Sequence, residues 1–504
     1  METNLHTYVV SDMHLSEAHE PDPGRPMWMA YKRREFFIDD DFAAFLDHIQ
    51  EKATGPIELL LNGDIFDFDN VTAVPDKGRD IEWLERVRGL GSEEWKSQFK
   101  MAVIIEDHPR WFEALGQFIA RGHRVVFVVG NHDVELYWPS VQRAICDALG
   151  AQFPSSIGEE EQDDPIVFCN WFYLSGGDTY ISHGHQYDPN CVVRDPIDPL
   201  IEVRGQPRVR IPFGDLAARY MLNGMGYFNP HQSENYIMNA AAYLRFFFRY
   251  MLKTQPLLIW TWFWGAYATL WISLRTHWVP PMRDPLLVDD KVRSIATRSQ
   301  ATPSMVRKLN ALHVPSATNN PFRIARELWL DRAFFLLAVL FLAWQVVLHI
   351  NIAWPISPLW AFVPALIFML PYLAYASSVR PTVFEAPLLT ERVADLIFKI
   401  TGARRVVFGH THQPKCEQVG PITLYNGGFW SKAFADPECT IRLGEQTFVW
   451  IRPDAEGSDR IAELCEWKAG EETPMRSLCT EATSAAQPQT AQNLRERGRG
   501  LSPS

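Results

Sequence analysis

Val125-Val126-Phe127-Val128-Val129-Gly130-Asn131-His132-Asp133 is the stretch on which the reading of this chain turns. A short unbroken apolar run, rich in β-branched residues, reads as a strand buried on both faces. The polar residues after it then stand at a strand's carboxyl end, where open α/β sheets place their sites. Four other runs end the same way: Tyr8-Val9-Val10 in Ser11-Asp12-Met13-His14, Leu59-Leu60-Leu61 in Asn62-Gly63-Asp64, Tyr180-Ile181 in Ser182-His183-Gly184-His185, and Val406-Val407-Phe408 in Gly409-His410-Thr411-His412. Five such strands bring their terminal residues to one rim. In Asp12-x-His14 and His410-x-His412 the spacing of two, on an extended chain, points both side chains to the same side. Carboxylates, imidazoles and an Asn carbonyl, with no thiolate, suit Mn, Fe or Zn better than Cu(I) or Ca.

Taken in order, D-x-H, G-D-x-x-D, G-N-H-D, a histidine-bearing strand end and G-H-x-H resemble the calcineurin-like metallophosphoesterase superfamily. The likeness covers about residues 5–188 and 390–452. It implies a two-sheet α/β sandwich flanked by helices and a site for two divalent ions, Mn first, with Fe or Zn as alternatives. Metal one is expected on Asp12, His14, Asp64 and His412, and metal two on Asp64, Asn131, His183 and His410, with Asp64 bridging. A hydroxide shared by the ions is expected to attack phosphorus, and His132 to stabilise the transition state or give a proton to the leaving oxygen. Asp133 is expected to orient His132, with a helix cap as its alternative role. Asp67 is expected to support a histidine; His185 reads equally as a pocket residue or a partly exposed loop residue. Within the superfamily, Ser11-Asp12-Met13-His14-Leu15-Ser16, Gly409-His410-Thr411-His412-Gln413-Pro414 and Tyr425-Asn426-Gly427-Gly428-Phe429-Trp430 are similar to the UDP-2,3-diacylglucosamine hydrolase-like branch. The lipid A enzyme of that branch typically carries Arg where this chain has His132, and it lacks the central insertion.

The 504 residues carry 48 Lys+Arg against 60 Asp+Glu, a net charge of -12 that argues against nucleic acid as a partner. Seven scattered cysteines without C-x-x-C spacing read as thiols of a reducing compartment. Apolar residues are concentrated: 254–274 holds 21 residues without a charge and 333–379 holds 47. A bilayer crossing takes about 20 residues. Trp354-Pro355-Ile356-Ser357-Pro358 splits the longer run into a hairpin. Residues 275–332 contain ten Lys/Arg against five Asp/Glu, which assigns both hairpin ends to the cytoplasm.

The expected division is 1–190 core, 191–275 insertion with interfacial aromatic helices, 276–332 basic linker, 333–379 transmembrane hairpin, 380–455 second part of the core, and 456–504 extension, disordered from about 471. His183 precedes every apolar segment and His410 follows them, so a shared site requires an even number of crossings. Two spans are expected, with 254–274 interfacial or re-entrant; four, using 236–252, rank second because Arg245 and Arg249 would be buried. The expected protein is a multi-pass membrane phosphoesterase facing the cytoplasm, with the bilayer and a phosphoester, including a lipid-linked one, as partners. The alternatives are an anchored phosphatase of soluble nucleotides or phosphoproteins, and a non-catalytic scaffold.

Overall fold

The structure, a computed structural model, describes residues 5–53, 55–76, 81–151, 164–226, 245, 247–251, 258–282, 284, 286–378, 389–454, 459–471 and 473–480. Its strands are β1 (His6–Val10), β2 (Ile57–Asn62), β3 (Arg124–Val128), β4 (Ile166–Cys169), β5 (Phe172–Ser175), β6 (Thr179–Ser182), β7 (Leu200–Val203), β8 (Gln206–Val209), β9 (Arg405–Phe408), β10 (Lys415–Val419), β11 (Ile422–Asn426), β12 (Ala433–Phe434), β13 (Arg442–Leu443), β14 (Gln446–Pro453), β15 (Arg460–Trp467) and β16 (Met475–Thr480). The helices used below are α1 (Asp39–Lys52), α2 (Glu94–Asp107), α3 (Pro109–Ala120), α4 (Pro139–Ala148), α5 (Phe213–Ala217), α6 (Leu258–Trp278), α7 (Val288–Arg298), α8 (Pro303–Asn310), α9 (Pro321–Glu327), α10 (Leu330–Ala353), α11 (Phe362–Ser378) and α12 (Glu391–Thr401).

Two sheets face one another. The first runs β16-β15-β14-β1-β2-β3-β4, parallel from β1 to β4; the second runs β10-β11-β9-β6-β5, with β6, β9 and β11 parallel. Strand alternation builds the layers. Val9, Leu60, Val126, Ile181, Val407 and Val449 meet between the sheets, whereas Tyr8, Leu59 and Phe127 join the outer core with α1, α3 and α4. The second sheet's outer face is covered by α7, α8 and α12 through Val292, Ile295, Val306, Leu309, Ala394 and Ile397. This is the helix-flanked α/β sandwich that the motif order implies.

Three expectations are corrected. Residues 288–310 are not a linker, because their apolar stripe, spaced at three and four, is buried against the second sheet. The segment after 455 is no loose extension: β15 and β16 lengthen the first sheet, and described structure reaches Thr480, past the expected onset of disorder. Cys416 of β10 and Cys479 of β16 form a disulfide with Cα atoms 6.5 Å apart, against the reading of all seven as thiols; the other five form no disulfide. The two cysteines are brought together across the sandwich by strands far apart in sequence.

The apolar segments fall into two patterns. α10 and α11 are long and apolar enough to cross a membrane, with mean hydropathy 2.3 for Leu330–Ala353 and 1.8 for Pro358–Ala376. They turn back at Trp354–Ser357, where Pro355 and Pro358 break the helix. Phe335 stacks edge-on against Tyr372 and Tyr375, and the Tyr375 hydroxyl donates to Asp331 at 2.6 Å. α6 is two-faced by size. Ala266, Thr269 and Ser273 are buried, while Trp260, Trp264, Tyr267 and Trp271 form an outward stripe. Most of the expected amphipathic segment 236–253 lies outside the described residues, as does Val379.

Candidate metal centre

Each predicted ligand lies just beyond a strand, and five of them adopt left-handed backbone: Asp12 (φ 56), His14 (φ 50), Asp64 (φ 51), His410 (φ 66) and His412 (φ 56). Such conformations cost about 1–3 kcal/mol each in non-glycine residues and gather where function overdetermines them. The spacing-of-two argument is corrected here. β1 ends at Val10 and β9 at Phe408, so tight turns rather than strand alternation bring Asp12 beside His14 and His410 beside His412.

Neighbouring strand-end loops hold one another in register. The Asp12 amide donates to Gly63 O at 3.1 Å, His14 N to Asp64 O at 2.9 Å, and Gly409 N to His183 O at 2.9 Å. Two glycines are sterically required. A Cβ at Gly63, itself at φ +78, would stand 2.5 Å from His183 Cγ; one at Gly130 would overlap Asp64 Oδ1. Asn426 clamps the last loop by donating to Gly409 O at 2.7 Å and Thr411 Oγ1 at 3.0 Å.

The loops assemble two overlapping ligand groups. Asp12, His14 and His412 present donor atoms within 4.8 Å of one another, and Asp64, His183 and His410 form a second such set. His412 Nε2 stands 3.1 Å from Asp12 Oδ1 and 3.2 Å from His14 Nε2; His183 Nε2 stands 3.0 Å from Asp64 Oδ2 and 3.9 Å from Asp12 Oδ1. Asp64 also groups with His14 and His132, so it borders both sets. The residues fit a pair of cations. Among the described residues, Asn131 Oδ1 and His183 Nε2 are buried at the site without a hydrogen-bond partner, as atoms kept for an ion would be. The donors are nitrogen and oxygen, the set suited to Mn, Fe or Zn.

Electrostatics follow from burial and proximity. Burial favours a neutral Asp64, but His183 and His132 outweigh it and hold the carboxyl well below its usual range. Burial lowers the His183 pKa, yet Asp64 and Asp12 raise it to about 9, above its ordinary 6.5. The stabilisation from that ion pair is fully present below pH 6.5 and is lost as pH rises through about 9. A metal takes the neutral ring, so it competes with the proton. Mn affinity of the metal-stripped protein is therefore expected to rise with pH up to about 9, by at most about tenfold per pH unit for each proton displaced. Calorimetric titration across that range, in buffers of different ionisation enthalpy, measures both the slope and the proton release; a flat profile would contradict the assignment of His183.

His132 faces a wall of carboxylates. Its Nδ1 lies 3.4 Å from Asp67, 3.5 Å from Asp215 and 3.9 Å from Asp69. Burial pulls its pKa down, but Asp67, Asp215 and Asp64 push it well above the ordinary histidine value. Asp67 also approaches His14 Nδ1 at 3.8 Å, so it supports two histidines. The orienting role expected of Asp133 is corrected: its oxygens accept from Ile65 N at 2.9 Å and Gly130 N at 2.6 Å, tying two loops together, and no side-chain cap bond forms. Adjacent residues on a turn diverge, so Asp133 points into the fold while His132 points to the rim. Burial and Asp64 raise its pKa to about 7. His185 is fully buried, which excludes the exposed-loop reading.

Several partners escaped the sequence reading. Asp188 Oδ2 lies 3.1 Å from His410 Nε2; Asp215 accepts from Asn131 Nδ2 at 2.8 Å. Arg219 pairs with Asp69 and stands 3.7 Å from Glu135, which in turn pairs with Lys100 at 2.8 Å. Only Asp69, two residues after Asp67, carried a local signal.

Residues 5–236 match the calcineurin-like phosphoesterase family, Metallophos. No curated protein matches the chain. The match spans Asp12, His14, Asp64, Asn131, His132 and His183; His410 and His412 lie beyond it and are returned to the same rim by β9 pairing with β6. Residues 5–236 thus match a family of metal-dependent phosphoester hydrolases, over a little under half of the chain.

Proposed function

We propose that the protein is a membrane-bound di-metal phosphoesterase that hydrolyses a phosphodiester, pyrophosphate or phosphomonoester in a lipid headgroup, with Mn as the resident ion. The observation that carries this reading is the way α10 and α11 leave the fold: 17% of the first span's apolar window is buried and none of the second's. Two crossings return His410 to the side of His183, as a single site demands. The outward aromatic stripe of α6 suits the headgroup region, where Trp and Tyr are enriched. The likeness of residues 11–16 and 409–414 to the UDP-2,3-diacylglucosamine hydrolase-like branch supports a lipid-linked phosphate.

Asp12, His14 and His412 would hold one ion, Asn131, His183 and His410 the other, and Asp64 would serve both. Two such ions supply charge for the phosphoryl oxygens and a water acidic enough to attack at neutral pH. The remaining work falls to the chain. Carboxylates on its Nδ1 side keep His132 protonated, so its outer nitrogen can donate to the leaving oxygen. Asp67 fixes that ring and the His14 ring, and Asp188 faces His410.

The test uses detergent-purified full chain, stripped of metal and reloaded with Mn, Fe(II), Zn or Mg, on a lipid pyrophosphate, its soluble headgroup analogue and an aryl phosphodiester. We expect metal-dependent turnover with the lipid favoured at least about tenfold in kcat/KM, a difference of about 1.4 kcal/mol. Equal rates would reduce the hairpin to an anchor for a phosphatase of soluble substrates. Absence of metal-dependent turnover on all three would favour a scaffold.

A further inference from the structure

Asn131 is held from one end only. Its Nδ2 donates to Asp215 Oδ1 at 2.8 Å, and its Oδ1 is buried without a donor among the described residues. An amide turned the other way would present N–H groups, which cannot bind a cation. Asp215 Oδ1 accepts from Nδ2, and that hydrogen bond holds the amide in the orientation that leaves its own Oδ1 for the ion. The same Asp215 oxygen lies 3.5 Å from His132 Nδ1, and Asp215 is fully buried. One oxygen atom therefore touches two consecutive residues of the Gly-Asn-His-Asp loop from a segment some 80 residues later in the chain.

The segment that brings Asp215 is itself placed by the apolar part of the molecule. α5 runs into a wide turn, Ala218–Leu222, whose buried Arg219 pairs with Asp69 behind His132. α6 lies against that turn so closely that a Cβ on Gly265 would meet Tyr220 O at 2.7 Å and Met221 Cα at 3.1 Å. The Thr269 hydroxyl reaches Leu216 O at 3.5 Å. Phe213 of α5, Ala266 of α6, Leu328 and Leu330 share one small core, and Leu330 opens the first membrane-length helix. Packed cores transmit displacement because they are dense and resist compression.

We propose that Asp215 is a positioning residue for Asn131 and His132, and that α6 sets its placement, so that the aromatic helix and the metal centre move as one unit. This rests on Asn131 being a metal ligand. The experiment is calorimetric titration of metal-stripped full chain in detergent micelles with Mn, together with thermal melting of each metal-free variant. Wild type is expected to take up two ions. Asp215→Ala should lose affinity for one of them by about 10–100-fold, the range seen when a residue supporting a metal ligand is removed. Asp215→Asn, which keeps an acceptor oxygen, should stay within about threefold of wild type, with both melting temperatures unchanged. Gly265→Val, which touches no ligand, should weaken the same ion.

Wild-type affinity for both ions in Asp215→Ala would overturn the proposal. So would equal loss of both ions in the Ala and Asn variants with a lowered melting temperature, the mark of a merely structural residue. Should Asp215→Ala fail to fold, Gly265→Val decides: unchanged affinity in a folded protein overturns the coupling. A wild type that binds fewer than two ions would instead remove the di-metal reading beneath it.

Discussion

Asp64→Asn is expected to abolish measurable turnover, lowering kcat by about 10³-fold or more, the upper scale seen when one preorganised electrostatic group is removed. The substitution keeps size and shape. It removes the charge that burial opposes and that His183 and His132 sustain. Asp64 stands at the junction of the ligand groups, 3.0 Å from His183 Nε2, while its other oxygen accepts from His132 N at 2.8 Å. An amide offers one acceptor oxygen where two positions need charge. The protein is expected to remain folded, because the loop bonds at His14 N and Asp12 N run to backbone atoms. Purified variant should bind one Mn in place of two; full activity with two ions bound would sink the bridging assignment.

His132→Gln is the second large effect, and its size depends on the leaving group. For an alkoxide leaving group, loss of a positioned proton donor is expected to cost about 10²–10⁴-fold in kcat. For a nitrophenolate, which departs without a proton, the loss should be about tenfold or less by the same reasoning. The carboxylates around Nδ1 hold His132 charged, and the charged form is the competent one, so activity on the alkyl ester falls on the alkaline side of the profile. His132→Gln should remove that limb. An equal loss on both leaving groups would assign His132 to charge stabilisation alone and exclude the proton transfer.

The parts of this molecule that were legible early are those with local causes. A continuous apolar run such as Val125–Val129 must be buried on both faces, so its strand and the rim position of Asn131 follow from the run itself. The hairpin is legible for the same reason: 47 uncharged residues with Pro355 and Pro358 near the middle admit few other solutions. The C-terminal strands were less legible. β16 is mostly exposed at a sheet edge, so its sequence lacks the apolar signature that marks β2 or β3. In α7 and α8 the many charged residues mask the helical period, because the buried stripe of Val292, Ile295, Val306 and Leu309 is only a few residues wide.

Role assignment divides along the same line. Candidate ligands are legible in the sequence, because a metal demands particular atom types and those atoms stand at strand ends. Orientation was not. Asp133 adjoins His132 in the chain but turns inward to hold Gly130 and Ile65, and the carboxylates that do face the ring come from Asp67, Asp69 and Asp215. Sequence alone thus determined the strands that end in polar clusters, the candidate ligands those clusters offer and the apolar hairpin, since burial and coordination chemistry act on residue type and short-range order. Tertiary structure decided which carboxylates serve His132, which segment holds Asn131 and which cysteines pair, because those depend on where distant loops come to rest once the two sheets have closed on each other.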